Sequence, residues 1–236
     1  MIKRAVLLLI CAASVTSVLS AQPKLMVRGK VTYNHFSADD LKTIQEQLAG
    51  QLRSIGIPVS VVESFPPYYG MQFQVLFPVK DSAKLNMGFY YEQFSTGGRL
   101  HYKDYSGEVG IDQILKANVA GLLLEKILEP KHNVSFSLNI GLSLIWASLD
   151  MKTFERIYDQ RDESTEVLKN FTLGLLPGFS LSYNLFNVVF SGGVSYQICL
   201  PSAFDYNGEI VKNQNGDPYR PGMQGIRFSL GLGYNF

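Results

Sequence analysis

The chain has 236 residues, 46% of them hydrophobic and 12% aromatic, which suits one folded domain and excludes a disordered tail. With 21 Lys+Arg against 20 Asp+Glu the formal net charge is +1, which argues against non-specific nucleic-acid binding.

At the N-terminus, Met1-Ile2-Lys3-Arg4 precedes an apolar run from Ala5 to Leu19 and then Ser20-Ala21-Gln22. That order of charge, apolar run and small residues predicts a cleaved secretory signal over residues 1–21, with residues 22–236 as the mature domain. The run is shorter than the ~20 apolar residues a spanning helix needs, and no later stretch reaches that length, so membrane residence has to come from strands. Cys11 sits in the middle of the run without the small residue that a lipidation site wants before it. Cys199 is then alone in the mature chain, forms no intramolecular disulfide, and reads as a small apolar residue rather than a reactive thiol.

From Leu25 onward apolar residues recur at every second position, the period of a strand. Eight segments follow this pattern, at about 25–35, 70–79, 84–96, 106–124, 132–148, 168–184, 187–200 and 224–236. The first presents Leu25, Val27, Gly29, Val31 and Tyr33 on one face. After Ser37 the spacing changes to Leu41, Ile44, Leu48, Leu52 and Ile55, which predicts a helix in the first long connection, with Ser37 as N-cap and Asp39 and Asp40 in the first turn. Phe65-Pro66-Pro67-Tyr68-Tyr69 then sets a stiff entry into the second strand, whose face is Met71, Phe73, Val75 and Phe77.

The third strand offers Leu85, Met87, Phe89 and Tyr91, and the fourth Val109, Ile111, Gln113, Leu115, Ala117 and Val119. Even-numbered residues from Val134 to Trp146 form the fifth face, odd-numbered ones from Phe171 to Tyr183 the sixth, and even-numbered ones from Val188 to Ile198 the seventh. The last is Phe228, Leu230, Leu232, Tyr234 and Phe236. None of these faces carries a charge, and all but the fourth carry large aromatics. The opposite faces hold small and polar residues, too polar for the greasy core of a soluble barrel.

Connections after strands two, four and six are short, around Pro78–Ala83, Glu125–Lys131 and Asn184–Phe186, while those after one, three, five and seven are long. Together these features predict an all-β chain: an eight-stranded antiparallel up-and-down transmembrane β-barrel with a short helix in its first long loop. Its lumen is just wide enough for side chains to fill. Inward charges at Arg28, Lys30, Glu92, Asp112, Lys116 and Arg227 are expected to meet there, either as a charge-paired plug or as a narrow gate for small anions.

Tyr33, Phe36, Tyr90, Tyr91, Phe94, Tyr102, Tyr105 and Trp146, near the strand tops, read as an interfacial aromatic girdle. His101, Asp104 and Ser106 lie close in the second long loop and admit a hydrolase reading, if a base is held against the nucleophile. No phosphate loop, paired Cys/His set or nucleotide motif appears, so no catalytic residue, cofactor or metal is assigned.

The last strand, Phe228-Ser229-Leu230-Gly231-Leu232-Gly233-Tyr234-Asn235-Phe236, looks like the insertion signal read by the barrel assembly machinery. On that strand and on the architecture, the chain resembles the small eight-stranded bacterial outer-membrane barrels, the outer membrane protein A-like group and its relatives with an "outer membrane protein beta-barrel" domain. Ser95-Thr96-Gly97-Gly98-Arg99-Leu100-His101-Tyr102 is also similar to segments in barrels of this type from Bacteroidetes-like bacteria. The resemblance implies a monomer among outer-membrane lipids with a structural, adhesive or ligand-binding role through external loops. A small-solute channel or a lipid-modifying enzyme is the alternative. No peptidoglycan-binding domain follows the barrel, so tethering to the cell wall is not carried over.

Overall fold

A computed structural model describes residues 25–79, 84–105, 107–128, 133–158, 160–213 and 215–236, with Ile157 described by its backbone alone. The expected signal segment lies outside these residues, as does Ser106. In chain order the elements are β1 (Met26–Phe36), α1 (Asp39–Ser54), β2 (Ser60–Ser64), β3 (Tyr68–Pro78), β4 (Leu85–Lys103) and β5 (Gly107–Ile127). They continue with β6 (Val134–Ile157), β7 (Gln160–Leu185), β8 (Val188–Cys199), β9 (Asp205–Tyr206), β10 (Glu209–Ile210) and β11 (Gly225–Asn235).

Eight of these strands close a ring in the order β1-β3-β4-β5-β6-β7-β8-β11, with every neighbouring pair antiparallel. The closing pair joins the first strand to the last, with Val27 opposite Tyr234 and Tyr33 opposite Phe228, and the Phe236 amide donates to the Leu25 carbonyl at 2.8 Å. No helix among the described residues is long and apolar enough to cross a membrane.

Seven of the eight expected apolar faces point outward. Val31, Met71, Phe73, Met87, Phe89, Phe136, Leu142, Phe179 and Leu230 are all exposed on the outer wall. On β6 the apolar stretch from Phe136 to Trp146 covers ten residue steps, about 34 Å of strand. At the ~40° tilt of such barrels this stands about 26 Å tall, the height of the apolar band that crosses an outer membrane. Aromatics collect at its edges: Tyr33 packs against Tyr69 at 5.3 Å, and Trp146 against Phe171 at 5.7 Å between ring centroids.

The fourth face is the exception and corrects the sequence reading. Ile111, Gln113, Leu115, Ala117 and Val119 point inward and are buried, whereas Asp112, Lys116 and Asn118 lie on the outer side of the wall. The reason is that the barrel interior has two layers. Its lower part is polar, but its upper part is an apolar core in which Phe36, Tyr68 and Phe94 meet edge-on or tilted at 5.2 to 5.6 Å. Leu115, Leu149 and Leu168 join them there. A strand that crosses this layer carries apolar residues inside, so choosing its charge-free face as the outer one inverts it. Phe36, Tyr90 and Phe94 are likewise interior residues rather than girdle.

Two of the four long connections are not loops. β4 and β5 run ten residues beyond Gln93 to a tight turn at Asp104, and β6 and β7 continue past Trp146 to a turn at Tyr158, which takes φ 53°. Each hairpin projects about 30 Å of strand past the girdle. β2, which the sequence reading does not contain, adds an edge to this projecting sheet by pairing with β4. Its short run of exposed residues, with a bulge between Val61 and Glu63, shows no clean alternation.

The helix lies on the inner side of the projecting sheet. Leu41, Ile44, Gln45 and Ala49 are buried, and Leu48, Leu52, Leu100 and Ile111 pack around Ala49 and Val59. Ala38, not Ser37, is the N-cap residue and it makes no side-chain cap; Asp40 instead accepts the Arg220 amide at 2.8 Å. That contact belongs to a lid in which the last long connection, carrying β9 and β10, is knitted onto the helix. Phe204 and Met223 are buried beneath it, and the Tyr219 hydroxyl donates to Gln47. Gly222, at φ +64°, approaches the Ser37 carbonyl so closely that a Cβ would collide with it.

Candidate functional site

Three places collect chemistry: the lower lumen, the outer face of the projecting hairpins, and the turn that carries His101 and Asp104.

Within the lumen the charges form two pairs, each held by small polar groups from several strands. Arg28 on β1 crosses the barrel to Glu125 on β5, donating from Nη1 to Oε1 and from Nη2 to Oε2, both at 3.0 Å. Ser137 Oγ donates to Glu125 Oε1 at 2.8 Å, and Asn86 Nδ2 to Oε2 at 3.5 Å. Higher up, Arg227 pairs with Glu92 and also donates to Asn34 Oδ1 at 2.8 Å and to Gln197 Oε1 at 2.9 Å. Thr32 Oγ1 and Gln72 Nε2 supply Glu92 with two further donors, at 2.9 and 3.2 Å. All four charged residues are at most 3% exposed, so the pairs are desolvated and depend on these hydrogen bonds to be tolerable at all.

Of the six residues expected in the lumen, Arg28, Lys30, Glu92 and Arg227 are there. Asp112 and Lys116 are not. They point outward and pair with Arg99 at 2.5 Å and with Asp150 at 2.7 Å. Glu125 is the charged lumen residue that the sequence pattern misses, because it falls at the start of an expected short connection. Its parity matches Gln113 and Leu123, and the outward Leu122 and Leu124 beside it are the signal that could have placed it. Cys199 is buried on the inner side, with its Sγ 3.4 Å from the Met223 carbonyl oxygen.

The outer face of the hairpins is a cross-strand charge ladder. The register sets Arg99, Asp112, Lys152 and Thr165 in one row, and Lys103, Glu108, Arg156 and Arg161 in another. Between them Gly110 leaves room for the Phe154 ring, which a Cβ there would strike; His101 lies 6.3 Å and Arg161 5.9 Å from that ring. Opposite charges directly across strands contribute a few tenths of a kcal/mol to about 1 kcal/mol each, and the like pair Arg156–Arg161 subtracts from this, so the four opposite pairs stiffen a sheet that stands away from the barrel.

At the base of the upper turn, Glu108 accepts from Arg156 at 2.6 Å and lies 3.0 Å from His101 Nε2. The His101 hydrogen bond and the nearby Arg156 charge hold its carboxyl below the usual 4.5. A depressed folded value means this contact stabilises the hairpin above the unfolded pKa and is lost as pH falls through the folded one. Below about pH 4.5, limited proteolysis should cut the β4–β5 tip faster, and Glu108→Gln should remove that pH dependence. An acid response that persists in the variant would place it elsewhere.

Of the three residues of the hydrolase reading, His101 and Asp104 are among the described residues and Ser106 is not. His101 is engaged by Glu108, while Asp104 serves the turn, accepting from the Tyr102 hydroxyl at 2.7 Å and the Gly107 amide at 3.0 Å. No group of three His, Cys, Asp or Glu residues among the described residues is arranged to hold a metal.

No protein-family model matches the chain, and no curated protein matches it. Among solved structures it is similar to Neisserial surface protein A, at 14% identity and TM-score 0.40, over 90% of this chain and 97% of that one. It is also similar to Ail, the attachment invasion locus protein of Yersinia pestis, at 12% identity and TM-score 0.39, over 92% and 100%. A third is the N-terminal β-barrel domain of Pseudomonas aeruginosa OprF, at 12% identity and TM-score 0.33, over 91% and 100%.

Proposed function

We propose that this chain is an integral protein of a bacterial outer membrane that works through its projecting hairpins, as a binding or adhesive surface, and neither conducts solutes nor catalyses a reaction. The observation that carries the reading is the division of the wall: an apolar band about 26 Å tall, then about 30 Å of charged, cross-braced strand above it. Lipid fits the first part and water the second. Outer-membrane lipids surround the band, and the barrel assembly machinery reads Phe228, Leu230, Leu232 and Tyr234, which share one outer face of β11, together with Phe236 just beyond it.

The lumen supports a plug rather than a gate. Arg28–Glu125 and Arg227–Glu92 span it at two levels, and the apolar layer with its lid closes the top. Purified protein in planar bilayers should therefore show no steady openings, and regular ion-selective steps would overturn the plug. Exchanging the hairpin tips for short turns should abolish attachment of expressing cells to a target surface and leave the barrel's heat-dependent gel shift in place. Attachment that survives the exchange would refute the surface reading.

A further inference from the structure

The lumen holds more positive than negative charge. Arg28, Lys30 and Arg227 face Glu92 and Glu125 among the described residues, and each carboxylate is already bound by an arginine. Lys30 makes no hydrogen bond or ion pair of its own with a described residue. It borders a cavity of about 30 Å³, lined also by Gln74, Asn139, Ser195, Ser229 and Tyr90. One water needs roughly 10–15 Å³ measured in this way, so the space takes two particles of about that size.

The orientation of the groups around it follows from Glu92, which can only accept. Gln72 must turn its Nε2 to Glu92, so its Oε1 accepts from Gln74 Nε2 at 2.8 Å. That leaves Gln74 Oε1 without a partner in a side chain only 3% exposed. An acceptor and a surplus cation thus share one small chamber, whose other walls combine hydroxyl and amide groups with the engaged Arg28, Glu125 and Arg227 and with apolar Leu123, Leu176 and Phe179. Lys30 is only half-buried, but a charge turned into a narrow lumen still has to be paired or hydrated, and a buried acceptor has to receive a proton.

We propose that this chamber is a halide-sized anion site: one monovalent anion neutralises Lys30, and one water bridges that anion to Gln74 Oε1. Arg28 and Arg227 repel cations from the chamber and, being engaged already, cannot themselves take the anion over. Asn139, Ser195, Ser229 and Tyr90 offer further donors on its walls. The site needs no path through the barrel, because the anion can be enclosed as the strands close.

The test is to refold the protein in sodium bromide, crystallise it and collect data at the bromine absorption edge. An anomalous peak within hydrogen-bonding range of Lys30 Nζ is the expected result, and density there without an anomalous signal, as water alone would give, overturns the site. In solution, replacing gluconate by chloride at constant ionic strength should raise the unfolding midpoint of the wild-type protein and leave that of Lys30→Met unmoved. Equal responses in both would also overturn it, and the bromide experiment on the wild-type chain stands even if Lys30→Met fails to fold.

Discussion

Glu92→Ala should lower the stability of the folded barrel by about 3–5 kcal/mol, because it strands Arg227 in the lumen with hydrogen bonds but no counter-charge. Arg227 is 2% exposed and keeps Asn34 and Gln197 as acceptors, neither of which carries charge. The pair as a whole is a different matter. Two ions brought out of water cost several kcal/mol apiece, and good geometry roughly returns that cost. Glu92→Leu combined with Arg227→Met should therefore be close to neutral, or more stable by about 1–4 kcal/mol. Urea unfolding of the reconstituted protein, followed by the gel shift of the folded form, gives both values against wild type. A single variant within about 1 kcal/mol of wild type would mean that water reaches Arg227 and that the lumen is open at this level.

The same comparison explains which parts of the fold were legible. Strands that separate lipid from a polar lumen advertise both faces, since a charge on the wrong side is costly; Phe228 beside Arg227 and Tyr91 beside Glu92 are examples. β5 passes between two kinds of interior. Leu115 and Val119 face an apolar layer while Glu125 faces a polar one, so no single rule about charge fixes its frame. The first and last strands could be paired from sequence because ring closure leaves them no other partner. The hairpin extensions could not, as residues 97–103, 107–112, 149–158 and 160–167 lie beyond the apolar band and carry mostly polar residues on their outer face, whereas Leu100 and Ile111, on the inner face of the β4–β5 extension, are covered by a helix from elsewhere in the chain.

Deletion of Asp39–Ser54 should leave the ring intact and dismantle what stands above it. The eight strands hold one another by backbone hydrogen bonds to which α1 contributes none, and β1 still meets β3 through Asn34 and Tyr68. The upper layer depends on the helix. Leu41 is completely buried and Ile44 is 8% exposed; losing one large aliphatic residue of this kind usually costs about 2–5 kcal/mol. The deletion also removes Asp40 and Gln47, the partners of Arg220 and Tyr219, so the lid over Phe204 and Met223 loses its attachment. The variant should keep its heat-dependent gel shift while trypsin gains access to Arg99, Lys103 and Arg220, and attachment through the hairpins should fall to background. Loss of the gel shift would make the helix part of the barrel's own folding unit. Unchanged protease resistance would mean that the projecting sheet stands by its charge ladder alone.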